Sequence, residues 1–282
     1  MSIFYTKTDL SIFLQSEEMQ DQTLGLVPTM GALHEGHLSL VKKALTENNR
    51  VVVSIFVNPT QFDNSNDLDK YPRSLQHDVQ LLKELSDEIV VFAPSIEDMY
   101  DSNVQSKTFD FDGLDQMMEG EFRTGHFEGV GTIVELLLRT VSPQKAYFGE
   151  KDFQQLQIIR KLVEKNHINV EIIGCPIERE SNGLAMSSRN ERLSGKMRQK
   201  ASFIYKTLKT AKEKFGTESA KQIVDWVEVQ FDRNNDLELE YFTISDEENL
   251  SPINTKENNK KYRAFIAVYA YEVRLIDNLR LN

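Results

Sequence analysis

The reading of this chain turns on Leu24-Gly25-Leu26-Val27-Pro28-Thr29-Met30-Gly31-Ala32-Leu33-His34-Glu35-Gly36-His37-Leu38. Leu24–Val27 is short and apolar, as a buried strand is. Leu38–Leu45 carries helical periodicity, so the residues between form a strand-to-helix loop whose helix begins near His37. Gly31 and Gly36 let the backbone approach a ligand closely. His34 and His37, three apart, share one face at a helix start. Free N–H groups and the positive end of the helix dipole add anion affinity there. The loop therefore reads as a phosphate site with two imidazole donors. Zinc fits it less well, because a zincin helix needs a spacing of four with Glu beside the first His. No Cys or third His lies nearby.

Outward from this loop the same alternation repeats. Val51–Val57, Ile89–Ala93, Ala146–Phe148 and Val170–Gly174 read as buried strands. Helical stretches lie between them: one after Pro72 with Leu75, Val79, Leu82 and Leu85 on a stripe, then Gly131–Val141 and Phe153–Val163. Strand and helix in turn predict an α/β fold with a parallel sheet covered on both faces. Ligands of such sheets bind at the carboxyl ends of the strands. All but Gly216 of the 13 glycines and all but Pro252 of the 7 prolines precede Lys196. The rest reads as a smaller α+β lid or cap: helices around Lys196–Phe215 and Ala220–Phe231, then strands Leu237–Ser245, Tyr262–Tyr269 and Val273–Asp277. The boundary falls near Ser187–Ser194. The short polar stretches Asp63–Asp69 and Asn254–Lys261 read as linkers.

Composition narrows the function. Thirty-three Lys and Arg against 44 Asp and Glu leave a net charge of −11 over 282 residues, which repels phosphate backbones and argues against a nucleic-acid binder. The single cysteine, Cys175, can form neither an internal disulfide nor a thiolate cluster and reads as a small buried residue. No apolar run reaches the length of a membrane span, and the start lacks a signal-peptide pattern. A soluble cytoplasmic protein is expected.

Three more strand-end loops carry chemistry. In Asn58-Pro59-Thr60-Gln61-Phe62 the proline stiffens a turn whose amides suit the hydroxyls and carboxylate of a small substrate. Alone it reads equally as an ordinary Asn-Pro turn. The adjacent Asp63-x-Ser65-x-Asp67 fails as a calcium loop, since Leu68 replaces the turn glycine and Ser74 the terminal glutamate. In Phe148-Gly149-Glu150-Lys151-Asp152-Phe153-Gln154-Gln155, Asp152 is a candidate N-cap and Lys151 a cation for phosphates, with Gln155 one turn into the helix. In Gly183-Leu184-Ala185-Met186-Ser187-Ser188-Arg189-Asn190, two hydroxyls and a guanidinium can clamp a triphosphate. His126, within Arg123-Thr124-Gly125-His126, is either a substrate contact or loop filler.

Together these loops resemble the pantoate–β-alanine ligase family. PTMGALHEGH (28–37), SIFVNPTQF (54–62), DLDKYPR (67–73), FGEKDFQQ (148–155) and GLAMSSRN (183–190) stand here in that family's order and spacing. His34-Glu35-Gly36-His37 also matches the HxGH signature of the wider nucleotidylyltransferase superfamily, and MSSR resembles its KMSKS-type counterpart. The resemblance implies a Rossmann-like, doubly wound ATP- and pantoate-binding domain over 1–187, a C-terminal lid over 188–282, and a homodimer. It implies pantoyl adenylate formation with loss of pyrophosphate, then attack by the β-alanine amine to give pantothenate and AMP. Met30, Gly31, Ala32, Leu33, His34, Glu35, Gly36 and His37 would line the ATP site, with His37 the proton donor and His34 and Lys151 its catalytic partners. Gly149, Glu150, Lys151 and Asp152 would hold ribose and phosphates, and Met186, Ser187, Ser188 and Arg189 would close over the phosphates. Gln61 and Gln155 would hold pantoate, Gln61 also β-alanine, with Asn58, Arg123 and His126 around them. Glu178 stands where members often carry an apolar residue whose backbone meets adenine, and a main-chain contact survives that change.

The chemistry suits these residues. A carboxylate that attacks the α-phosphate needs no Ser or Cys nucleophile, so catalysis is alignment and charge stabilisation. Mg²⁺ is expected on the nucleotide phosphates, with no dedicated protein metal site. Two other readings share parts of the pattern. Another HxGH nucleotidyltransferase would have the first and last loops without needing paired Gln61 and Gln155. A non-catalytic ATP-binding module would leave Lys151 and both histidines surplus.

Overall fold

Runs apolar at every position, rather than at alternate ones, must be covered on both faces. The computed structural model describes residues 1–62, 68–69, 71–101 and 103–282. Among them β1 (Ser2–Phe4), β2 (Leu24–Thr29), β3 (Arg50–Ile55), β4 (Ile89–Phe92), β5 (Lys145–Gly149) and β6 (Glu171–Cys175) form one sheet. All its ladders are parallel and the strand order is β1-β4-β3-β2-β5-β6. Val27, Val53 and Val91 stand abreast on one face, and Leu26, Val52 and Val90 on the other. Each is buried, and full burial of such a side chain stabilises by about 1.5–3 kcal/mol.

The helices are α1 (Lys7–Leu14), α2 (Glu35–Glu47), α3 (Leu75–Leu85), α4 (Ile96–Tyr100), α5 (Glu119–Phe122), α6 (His126–Val141) and α7 (Phe153–Lys165). Leu38, Val41 and Ala44 of α2 and Leu82 of α3 pack onto the Val27–Val53–Val91 face. Helix α6 lies against β2 and α1. The chain winds outward from β2 through β3 to β4, then returns to the other side of β2 at β5. That reversal is a topological switch point, and it lies where β2 and β5 end, at Thr29 and Gly149.

Ile177–Asn282 together with Lys151–Phe153 form a second compact unit; Met1–Glu150 with Gln154–Pro176 form the first. The second contains an antiparallel sheet β7 (Glu238–Asp246), β8 (Tyr262–Ala270), β9 (Val273–Arg280), with helices α8 (Gly195–Lys200), α9 (Ser202–Phe215) and α10 (Ala220–Asp232). Ile204, Leu208 and Ala211 from α9 and Ile223 and Val227 from α10 share one core with Ile266 and Val268. The parallel α/β sheet and the smaller α+β unit are those the alternation predicts.

Details differ for local reasons. The helix expected over Lys196–Phe215 is two, parted at Ala201, where the Ser202 hydroxyl donates to the Gln199 carbonyl (2.7 Å). Helix α6 begins at His126 rather than Gly131; Gly129 and Gly131 mask its start. A Cβ on Gly129 would lie 2.3 Å from the Thr60 carbonyl oxygen and 2.6 Å from the Gln61 nitrogen, so the 3-10 turn Pro59–Gln61 rests on bare helix backbone. Cys175 is buried, which pushes its thiol up to about 11. The calcium-like Asp63-x-Ser65-x-Asp67, and parts of the expected linker and of DLDKYPR, lie outside the described residues. No helix among those described is long and apolar enough to cross a membrane.

The end of α2 is tied to β5 by charge. Glu47 accepts from Lys43 (2.6 Å), Lys145 (3.1 Å) and the Tyr147 hydroxyl (2.9 Å). These hydrogen bonds, Lys43's first, hold its carboxyl down to about 2. A carboxylate with a depressed folded pKa stabilises fully above its unfolded value and loses that contribution as pH falls through the folded one. Glu47→Gln should therefore lose less stability than the parent between about pH 5 and about pH 2, read by urea unfolding across that range. Gly129→Ala should cost about 1–3 kcal/mol in the same assay, because the added methyl meets backbone rather than a movable side chain.

Candidate active site

The loop after β2 is held by a carboxylate that the loop motifs do not single out. Asp78, on α3 and 1% exposed, accepts the N–H groups of Leu33 (2.7 Å) and Ala32 (3.0 Å). Burial raises its pKa, and the two backbone donors oppose the shift. Gly31 at φ +79° and Ala32 at φ +50° turn the chain back toward it. A Cβ on Gly31 would meet the Asp78 carboxylate at 2.9 Å, so this position needs glycine. An Asp beside the apolar stripe of Leu75, Val79 and Leu82 was the available signal.

This anchoring changes the expected anion cradle. Gly31 N–H is taken by the Thr29 hydroxyl (3.2 Å), Ala32 and Leu33 by Asp78, and Gly36 by His34 Nδ1 (3.1 Å). Four N–H groups of the loop thus bond within the protein. An anion would meet the helix start and the imidazoles rather than those four donors. Helix α2 also begins earlier than expected, with His34 as its N-cap. Since His34 Nδ1 accepts, its proton sits on Nε2 and the ring is a neutral donor. The His37 ring lies 4.1 Å from it between centroids, so the two histidines do share one face. Glu35 points elsewhere, pairing with Lys42 at 3.3 Å on the helix surface.

The second loop is brought onto the first. Gln61 Nε2 reaches Met30 Sδ at 2.9 Å. Asn58, 1% exposed, donates to the Gly129 carbonyl (3.0 Å) and to Gln61 Oε1 (3.3 Å), and accepts from Tyr100 (2.5 Å) and Thr60 (3.2 Å). Its amide is wired into the protein and shapes the turn that carries Gln61. His126 also joins this group. Arg123 donates to its Nε2 (2.9 Å), which leaves Nδ1 to donate to the Gln61 carbonyl (2.8 Å). Arg123 is itself paired with Glu119 at 3.6 Å. Gly149 ends β5, Glu150 opens the 3-10 turn that follows, and half-buried Gln155 follows Gln154, whose amide binds the carbonyls of Leu114 and Met117.

The remaining candidates belong to the second unit. Lys151 lies in the 3-10 turn Glu150–Asp152, its ammonium 3.5 Å from Asp152. Ser187 caps the turn Ser188–Arg192 through the Arg189 N–H (3.3 Å). Asn190 braces that turn on Glu180 (2.8 Å) and the Ala185 carbonyl (3.0 Å). The Glu178 carbonyl accepts the Met186 N–H at 3.0 Å, so Glu178 and the Met186–Arg189 segment are joined through backbone. Among the described residues, no three His, Cys, Asp or Glu side chains converge as a metal site.

Residues 2–280 match the sequence model of the family described as Pantoate-beta-alanine ligase. The chain is similar to a pantothenate synthetase of Christiangramia forsetii, 56% identical over 282 residues and covering 100% of both chains. It is 55% identical, with the same coverage, to one of Flavobacterium psychrophilum. Among solved structures, pantothenate synthetase from Thermus thermophilus matches with a TM-score of 0.92 at 39% identity, covering 100% of this chain and 99% of that one. The pantoate-beta-alanine ligase of Francisella tularensis, complexed with beta-gamma ATP and beta-alanine, matches at 0.82 and 38%, covering 100% and 98%. With sequence and fold agreeing along the whole length, the chain belongs to the pantoate-beta-alanine ligase family and is an enzyme of pantothenate formation.

Proposed function

We propose that this ligase works through a pantoyl adenylate, consuming ATP and releasing first pyrophosphate and then AMP. The observation that carries this reading is the union, within one unit, of the His34–His37 pair with the Gln61 amide through Met30. Imidazole donors for phosphate and an amide for a small hydroxy acid then belong to one cradle at the sheet's switch point.

In the first step a pantoate carboxylate oxygen attacks the α-phosphorus, and the bond to the bridging oxygen breaks as pyrophosphate leaves. His34 Nε2–H and His37 stabilise the charge that builds on phosphate oxygens. Gln61 and Gln155 hold pantoate's polar groups. Lys151, Ser187, Ser188 and Arg189 are the second unit's phosphate-binding set, and the Glu178 backbone meets adenine. In the second step the β-alanine amine attacks the acyl carbon, loses a proton, and AMP departs with its phosphate oxygen. Mg²⁺ bound with ATP would supply charge neutralisation on the phosphates. The same reading makes the enzyme a cytoplasmic homodimer, on family likeness alone.

Mass detection with ATP, Mg²⁺ and pantoate, β-alanine omitted, should show pantoyl adenylate. Turnover without any enzyme-bound or released adenylate would overturn the reading. His37→Ala should slow adenylate formation by about 10²–10⁴-fold, the range for a positioned donor; a loss under about tenfold would reduce His37 to a structural residue. Lys151→Ala should slow adenylate formation strongly, while preformed adenylate reacts with β-alanine at a less impaired rate. Equal loss of both half-reactions would refute that division of labour.

A further inference from the structure

Lys151 is followed in sequence by a helix of the first unit, yet it is grouped with the second. The link is Asn278 of β9, 1% exposed, whose Nδ2 donates to the Lys151 carbonyl at 2.8 Å. The amide can face only this way, because Arg263 donates to its Oδ1 at 2.6 Å and a guanidinium cannot accept. Arg263 in turn lies over the Phe153 ring, 3.9 Å from its centroid, and binds buried Glu247 at 2.7 Å.

The preceding residue, Asp277, holds the other phosphate segment. Its carboxylate takes Arg179 in two bonds of 2.6 and 2.9 Å, and the same guanidinium donates to the Gly183 carbonyl at 3.1 Å. Gly183 opens the segment that runs to Ser187, Ser188 and Arg189, and Arg179 bridges Ala185 within it. Asp277 Oδ1 also accepts the Asn278 N–H at 2.7 Å. Two successive buried residues on one strand therefore hold two segments that are distant in sequence.

We infer that Asp277 and Asn278 are positioning residues that set the spacing between Lys151 and the Ser187–Arg189 turn, and through it the grip on the ATP phosphates. The inference rests on the phosphate-binding role proposed above for those two segments. Asn278 acts on Lys151 through its main chain. Asp277 acts on the serine–arginine turn through Arg179.

Asn278→Asp tests the first half, since it keeps the acceptor for Arg263 and places a carboxylate oxygen against the Lys151 carbonyl. The KM for ATP in adenylate formation should rise about three- to tenfold, the effect of one hydrogen bond, with the KM for pantoate nearly unchanged. In the Lys151→Ala background the same substitution should add almost nothing, because no ammonium is left to place. Asp277→Asn should raise the KM for ATP additively with Lys151→Ala. Should Asn278→Asp not fold, Asn278→Ser supplies the same cycle without the added charge. Full additivity of the Asn278 and Lys151 substitutions, or equal rises in both KM values, would overturn the inference while leaving Lys151's role intact. A Lys151→Ala enzyme with normal ATP dependence would instead remove the reading on which the inference rests.

Discussion

The carboxylate of Asp78 is the constraint on which the candidate residues of the first unit depend. A loop that leaves a strand with two consecutive residues at positive φ has backbone donors that must be satisfied, and burial forbids leaving them to water. Asp78 satisfies two of them from a neighbouring helix. Every feature downstream follows from the path this imposes: His34 falls at the N-cap, His37 one turn along the same face, and Met30 where Gln61 can touch it. The cost of burying a carboxylate is offset locally, by the donors it orders.

Inside the site, orientation comes from hydrogen bonds that leave little choice. His34 is a donor at Nε2 because Gly36 occupies Nδ1; His126 is neutral because Arg123 can only give. Asn58 spends its polar atoms on the turn beside it. The groups proposed to face substrate are few, and a larger number of buried ones holds them in place. Under the proposed mechanism, groups fixed in this way stabilise charge without reorganising when it appears.

Much of this was legible in the sequence, and the rest was not for identifiable reasons. Unbroken apolar runs at β2, β3 and β4 announce a parallel sheet, and glycines at strand ends mark the loops that matter. Three residues of edge strand β1 show no period at all. The helix reads from the sequence as starting at Gly131, but Gly129 and Gly131 are contact points inside α6: Gly129 admits the Thr60–Gln61 backbone and Gly131 the Phe109 and Phe111 rings. Asp78, Tyr100, Asp277 and Asn278 escaped because each works through a partner 40 or more positions away: Tyr100 through Asn58, Asn278 through Lys151, the others likewise over long separations. Local pattern cannot report such pairings. Asn58 was visible as a candidate group for substrate; that it also braces its own turn was not.

The placement of Lys151–Phe153 in the second unit has a consequence for how the chain could have been assembled and how it can be cut. The polypeptide passes between units at 150/151, at 153/154 and at 176/177, so no single cut separates them. A fragment beginning at Ile177 would lack the ring beneath Arg263, the Phe153–Phe265 contact and the carbonyl that Asn278 binds. The C-terminal unit is therefore not a portable module. Recombination that swapped it between relatives would have to carry a tripeptide encoded upstream of Gln154–Pro176, which favours inheritance of the two units as one block.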